Sequence, residues 1–116
     1  MGFFSSNASK FPWKQLTSID QLEEVLSNDS KIIIFKHSTR CSISSFALKN
    51  FEKEFKEREE ISCFLVDLLN YRDVSNKIAE KTGITHESPQ VFLIENGKVL
   101  HSASHEQINA LEINKL

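Results

Sequence analysis

Cysteine, proline and glycine are scarce in this sequence of 116 residues, which holds two, two and three of them. Cys41 and Cys63 are too few for a disulfide framework, and in a reducing compartment such thiols are reactive, metal-binding or simply buried. With so little proline and glycine, and no low-complexity run, neither a linker nor an internal repeat is expected. One domain spanning residues 1–116 follows, with residues 1–11 as a flexible leading segment. Charge of one sign is also lacking: 14 basic and 16 acidic residues give a net charge of −2. That excludes the electrostatic footprint of a nucleic-acid or anionic-membrane binder at the level of the whole chain. No apolar run approaches membrane-spanning length, and the first ten residues carry neither the basic start nor the apolar core of a signal peptide, so a cytoplasmic address is expected. Gly2 with Ser6 fits a loose myristoylation pattern, and Asn7-Ala-Ser9 and Asn28-Asp-Ser30 fit the glycosylation acceptor, but motifs this short occur by chance. His101 and His105 have no cysteine or carboxylate around them at metal spacing, so no metal site is expected.

What is present alternates between strand and helix. Residues 13–16 suit a short edge strand, and Thr17 or Ser18 caps a helix with Ile19, Leu22, Val25 and Leu26 on one face. Residues 32–35, Ile-Ile-Ile-Phe, read as a strand buried on both faces. The pattern then predicts a helix over residues 42–56 with Ile43, Phe46, Ala47, Phe51 and Phe55 inward, a strand over 61–68, and a helix over 71–81 with Val74, Ile78 and Ala79 inward. Gly83 supplies the C-terminal stop. Two strand-like runs, 90–95 and 98–102, flank Asn96-Gly97, a strong hairpin signal, and a last helix is expected from about residue 104. The fold class is α/β, with a mixed central sheet of four to five strands and helices on both faces, because parallel strands need helical crossovers. This is the element order of the thioredoxin fold. Trp13, with Phe11 and Pro12, reads as an apolar plug on its first edge.

Cys41 falls where the buried strand ends and the next helix begins, in His37-Ser-Thr-Arg-Cys-Ser-Ile-Ser44. A helix N-terminus presents unpaired N–H groups and partial positive charge, which favour thiolate over thiol, and Arg40 adds to that potential. The position of a second cysteine, three residues on, holds Ser44. Its hydroxyl is expected to donate to the thiolate, or to satisfy a first-turn amide, roles that are compatible. Pro89 either opens an edge strand or forms a cis peptide with Ser88 beside the sulfur, exposing a strand-like edge to substrate. Cys63, in mid-strand, reads as core filler; the sharper alternative, a resolving thiol, needs disulfide reach of Cys41, which a mid-strand position disfavours. One of Lys36 and His37 aids proton transfer or raises the local positive potential, or, as is more common at a strand end, both are solvated. The position six before Cys41, where thioredoxins carry a buried acid, holds Phe35. His86 and Glu87 suit the rim of the site or a plain exposed loop.

The stretches His37-Ser-Thr-Arg-Cys-Ser-Ile-Ser-Ser-Phe-Ala47, Asp67-Leu-Leu-Asn-Tyr-Arg-Asp-Val-Ser-Asn76 and Thr82-Gly-Ile-Thr-His-Glu-Ser-Pro-Gln90 resemble the YtxJ family, the monothiol bacilliredoxins. The resemblance implies a thioredoxin-like cytosolic protein of bacteria that make bacillithiol, acting on mixed disulfides between that thiol and protein cysteines. It carries the active cysteine onto Cys41, the serine of the motif onto Ser44 and the cis-proline segment onto Ser88-Pro89. Arg40 and Ser42 flank the sulfur, where a proline after the cysteine is common across the thioredoxin superfamily. Arg40 is expected to tune the sulfur, and Thr39, Ser42, Ser88 and Pro89 to contact substrate. No cofactor is expected, bacillithiol being a co-substrate. The partners expected are bacillithiolated client proteins and an external resolving thiol or reductase, with the protein itself a monomer or weak dimer. Two other classes fit a lone cysteine: a thioredoxin-like adaptor with a passive or regulatory thiol, and an iron–sulfur carrier of the monothiol glutaredoxin type. The glycine pair expected ahead of the last helix in that second class is missing.

Overall fold

Ile32, Ile33, Ile34 and Phe35 leave strand β2 (Lys31–His37) without a polar face, so it must be covered on both sides. The computed structural model describes residues 11–116 and places β2 at the middle of the sheet. The other strands are β1 (Trp13–Gln15), β3 (Ile61–Asp67), β4 (Gln90–Glu95) and β5 (Lys98–Ser104), in the order β1-β3-β2-β4-β5. β1 and β2 run parallel to β3, whereas β4 is antiparallel to both β2 and β5. Helices α1 (Ile19–Leu26), α2 (Ser42–Glu54) and α3 (Arg72–Thr82) make the crossovers. The last two strands turn tightly through Asn96 and Gly97, at φ 52° and 76°.

Strand periodicity then divides the core. Ile32 and Ile34 pack with Leu22 of α1 and with Val74 and Ile78 of α3. Ile33 and Phe35 point the other way, to Phe51 of α2, to Phe55 at its C-cap, and to Ala110 and Ile113 of α4 (Ala110–Asn114). At about 1.5–3 kcal/mol for each large apolar side chain buried, these layers fix α2 and α3 to opposite faces of the sheet. Local signals set the ends: Ser18 Oγ accepts from Gln21 N at 3.1 Å to start α1, and Gly83, at φ 72°, stops α3.

The structure departs from the sequence expectation in three places. Ile43 and Phe46 are 65% and 68% exposed, and the inner face of α2 is Ser44, Ala47, Leu48 and Phe51, continued by Phe55 at its C-cap. At about 100° per residue, Phe46 lies roughly 140° round from Phe51 and Ile43 roughly 80°. The last helix does not begin near residue 104. Strand β5 runs on to Ser104, His105 N donates to Pro89 O at 3.0 Å, and a 3₁₀ turn (His105–Gln107) intervenes before Asn109 Oδ1 accepts from Leu111 N at 2.9 Å to start α4. Finally, Phe11 is packed rather than flexible, its ring 4.6 Å from that of Trp13 and 5.9 Å from that of Phe55. Gly2, Ser6 and Asn7-Ala-Ser9 lie outside the described residues. Among the described residues no helix is long and apolar enough to cross a membrane.

Candidate active site

The turn after β2 closes with Cys41 N donating to Ser38 O at 3.2 Å, which leaves Cys41 as the N-cap of α2 in extended backbone conformation. Its carbonyl accepts from Ser45 N at 3.0 Å, while its side chain makes no capping bond. No acidic residue occupies the first turn of α2. The half-buried sulfur therefore stands at a helix end whose first N–H groups have no partner within the helix and carry partial positive charge. Thr39, Arg40 and Ser42 surround it as exposed side chains, and Arg40 enters no ion pair among the described residues.

Ser44 is fully buried. Its Oγ accepts from Ser38 N at 3.0 Å and shares a 2.7 Å hydrogen bond with His37 Nδ1. The bond expected from Ser44 to the Cys41 sulfur is not among those the structure shows; the hydroxyl is engaged by His37 Nδ1 and Ser38 N instead. Ser44 ties the first turn of α2 to the end of β2 and so holds the loop that carries Cys41. Burial lowers the His37 pKa below its ordinary 6.5, against a smaller raising pull from Asp67 and Glu52. A neutral ring at pH 7 follows.

Cys63 is 4% exposed, and burial pushes its thiol up to about 12, helped by Glu57 and opposed by Lys14. Its register partner on β2 is Ile33, four residues short of the strand end at His37. At about 3.3 Å per residue that is roughly 13 Å, and Cys41 lies further along the chain, so a disulfide between the two would need the strand to move.

The Ser88–Pro89 peptide is cis. Because Gln90 pairs with Lys36, the antiparallel register continues Pro89 opposite His37, at the end of the strand that leads to Cys41. Pro89 is buried and Ser88 half-buried. Two side chains fix this segment. Gln90, 3% exposed, donates through Nε2 to Thr85 O at 3.1 Å and accepts through Oε1 from Glu87 N at 3.2 Å. Lys36, fully buried, donates to Ser75 O at 3.0 Å and to His86 Nδ1 at 3.2 Å, with Ser75 Oγ also 3.2 Å from that nitrogen. An ammonium cannot accept a hydrogen bond, so Nδ1 carries the lone pair and His86 is neutral. Burial lowers the His86 pKa, and Lys36 and Arg72 lower it further, against a raising pull from Glu87.

Of the readings open for Lys36 and His37, solvation at a strand end is overturned, since they are 0% and 8% exposed. Both lie inside the sheet, covered by helices on both faces. Sequence reading missed Ser75 and Gln90 altogether; a glutamine directly after the proline was the one signal available. His86 and Glu87 do not share a role: His86 turns inward, and Glu87 pairs at the surface with His105 at 3.2 Å. Beside Cys41, a notch of about 380 Å³ is lined by Thr39, Arg40, Leu69 and Asn70. Among the described residues no group of three metal-binding side chains gathers.

A lone accessible cysteine capping a helix in this βαβ frame, with a cis-proline segment alongside, defines a thioredoxin-fold thiol-disulfide oxidoreductase. Comparison with known proteins agrees. A thioredoxin-fold protein proposed to be an oxidoreductase is 34% identical, with a TM-score of 0.80 over 90% of this chain and 92% of the other. The thioredoxin of Trypanosoma brucei brucei is 16% identical, with a TM-score of 0.72 over 93% of this chain and 90% of its own. That of Malassezia sympodialis is 20% identical, with a TM-score of 0.67 over 89% and 85%. These two show the fold alone. Residues 14–113 match the family described as Monothiol bacilliredoxin BrxC, and the chain belongs to that family.

Proposed function

We propose that the protein removes bacillithiol from protein mixed disulfides in the cytoplasm. Cys41 is half-accessible at the start of α2, while Cys63 is buried in the core; that contrast carries the reading. The Cys41 thiolate attacks the bacillithiol sulfur of the mixed disulfide. A Cys41–bacillithiol disulfide forms as the client disulfide breaks, and the client cysteine leaves as thiolate. An external thiol, a second bacillithiol or a partner redoxin, then attacks that adduct, freeing Cys41 as thiolate and taking bacillithiol into a new disulfide. Ser44 stands where a second thiol would resolve the adduct internally. The exchange is electron-balanced without a cofactor. Arg40 supplies positive potential at the sulfur, and Thr39, Ser42, Ser88 and Pro89 border the approach of client and thiol.

A bacillithiolated client protein incubated with the chain tests this by intact mass. The client should lose the bacillithiol mass and Cys41 should gain it. Cys41→Ser should abolish the transfer, and Cys63→Ser should preserve its rate. A folded Cys63→Ser protein that accumulates the Cys41 adduct would show instead that Cys63 resolves it.

A further inference from the structure

The connections leaving β2 and β3 depart to opposite faces, because α2 packs in one core layer and α3 in the other. In an open α/β sheet the crevice outside the strand ends at such a point is where ligands bind. Here it is the notch of about 380 Å³ between Thr39 and Arg40, which follow β2, and Leu69 and Asn70, which follow β3. Its floor is built. Asp67 Oδ1 accepts from Leu69 N at 3.2 Å and Oδ2 from Asn70 Nδ2 at 2.8 Å, so that carboxylate is already engaged. Arg40 is exposed, unpaired among the described residues and adjacent in sequence to Cys41, and α2 and α3 both begin at this end of the sheet.

We infer that this notch receives the small-thiol half of the Cys41 mixed disulfide, and that Arg40 selects thiols bearing a carboxylate. The inference rests on the disulfide exchange proposed above and adds to it a ligand class and a place. A guanidinium beside the start of α2, whose first turn holds no acidic residue, pairs with carboxylate, whereas a neutral thiol gains nothing there. Bacillithiol carries carboxylates on its malyl group, and 2-mercaptoethanol carries no charge.

The test is the exchange Cys41–S–S–mercaptoethanol plus bacillithiol, giving Cys41–S–S–bacillithiol plus mercaptoethanol, brought to equilibrium on the full chain carrying Cys63→Ser, so that Cys41 is the one thiol in the folded and the unfolded state, and read by mass. Its constant in folded protein is divided by that in protein unfolded in urea, so that the sulfur's intrinsic reactivity cancels. No client is present, so a preference cannot come from a client's carboxylate. The ratio should exceed one by about two- to fivefold, the range of an exposed ion pair, and should shrink with added salt. Arg40→Gln should bring it to about one, Arg40→Lys should restore most of it, and Leu69→Glu, which adds a carboxylate across the notch, should lower it. A ratio of one in the native protein, or a ratio unchanged in Arg40→Gln, overturns the inference while leaving Cys41 exchange intact. Folded protein that forms neither adduct overturns the exchange itself.

Discussion

Lys36→Met should make the protein more stable at neutral pH. The Lys36 ammonium is fully buried, and no carboxylate lies within ion-pair distance of it among the described residues. Burial lowers its pKa from 10.5 to about 8. Such a displacement corresponds to about 3 kcal/mol of disfavour for the charged form in the folded chain. Below pH 8 that cost is present in full, because folded and unfolded chains are both protonated. Between pH 8 and 10.5 the unfolded chain binds more protons, so stability rises with pH across this window. Methionine fills a similar volume against Phe92, whose ring centroid lies 5.7 Å from Nζ, but it gives up hydrogen bonds to Ser75 O and His86 Nδ1 worth roughly 1 kcal/mol each. The net gain is about 1–2 kcal/mol at pH 7, shrinking toward pH 10. Urea unfolding followed at several pH values reads both quantities. A variant less stable than the parent at pH 7, or a difference that stays constant from pH 7 to 10, would refute the reasoning and show that the hydrogen bonds outweigh desolvation. Exchange activity measured alongside should fall, since Lys36 also anchors the segment before Pro89.

Acid should destabilise the protein as pH falls below 6.5, because His37 and His86 both have lowered pKa values and the unfolded chain takes up protons first. Denaturant midpoints from pH 7.5 to 5 should decline, and His86→Gln, which keeps an acceptor for Lys36, should flatten part of the slope. Iodoacetamide should label Cys41 in the folded protein and Cys63 only after unfolding, as peptide mapping would show; labelling of both together would contradict the burial of Cys63. Ser44→Cys should form a disulfide with Cys41 on oxidation and release the small thiol without external help, since attack from one helical turn away is intramolecular. Mass analysis after blocking free thiols detects the bridge, at a cost of about 1–3 kcal/mol in stability from the lost Ser44 contacts to His37 and Ser38.

The succession of strands and helices, the hairpin at Asn96-Gly97 and the placement of Cys41 were legible because each rests on a local pattern: an unbroken apolar run, a turn dipeptide, a strand-to-helix junction. The inner face of α2 was not. Ile43 and Phe46 satisfy helical spacing as well as Leu48 does, and only the packing of Phe51 and Phe55 beneath the sheet decides which set faces inward. Lys36 defeated the reading for a related reason. A lysine at a strand end is ordinarily solvated, and what buries this one is distant in sequence: Ser75, His86 and Phe92. Ser44 was readable as a serine in a helix's first turn, but its partner His37 lies on the preceding strand, so the choice between sulfur and imidazole was made by the fold.

The only tryptophan in the chain, Trp13, donates through Nε1 to Glu52 of α2 at 2.6 Å and lies against Phe51, ring centroids 6.0 Å apart. Both partners belong to the helix that Cys41 caps. The indole is thus a built-in optical gauge of that helix. Any shift of α2 against the sheet would change the carboxylate and the rings beside the chromophore, so the emission of the unlabelled protein reports whether adduct formation at Cys41 moves the helix.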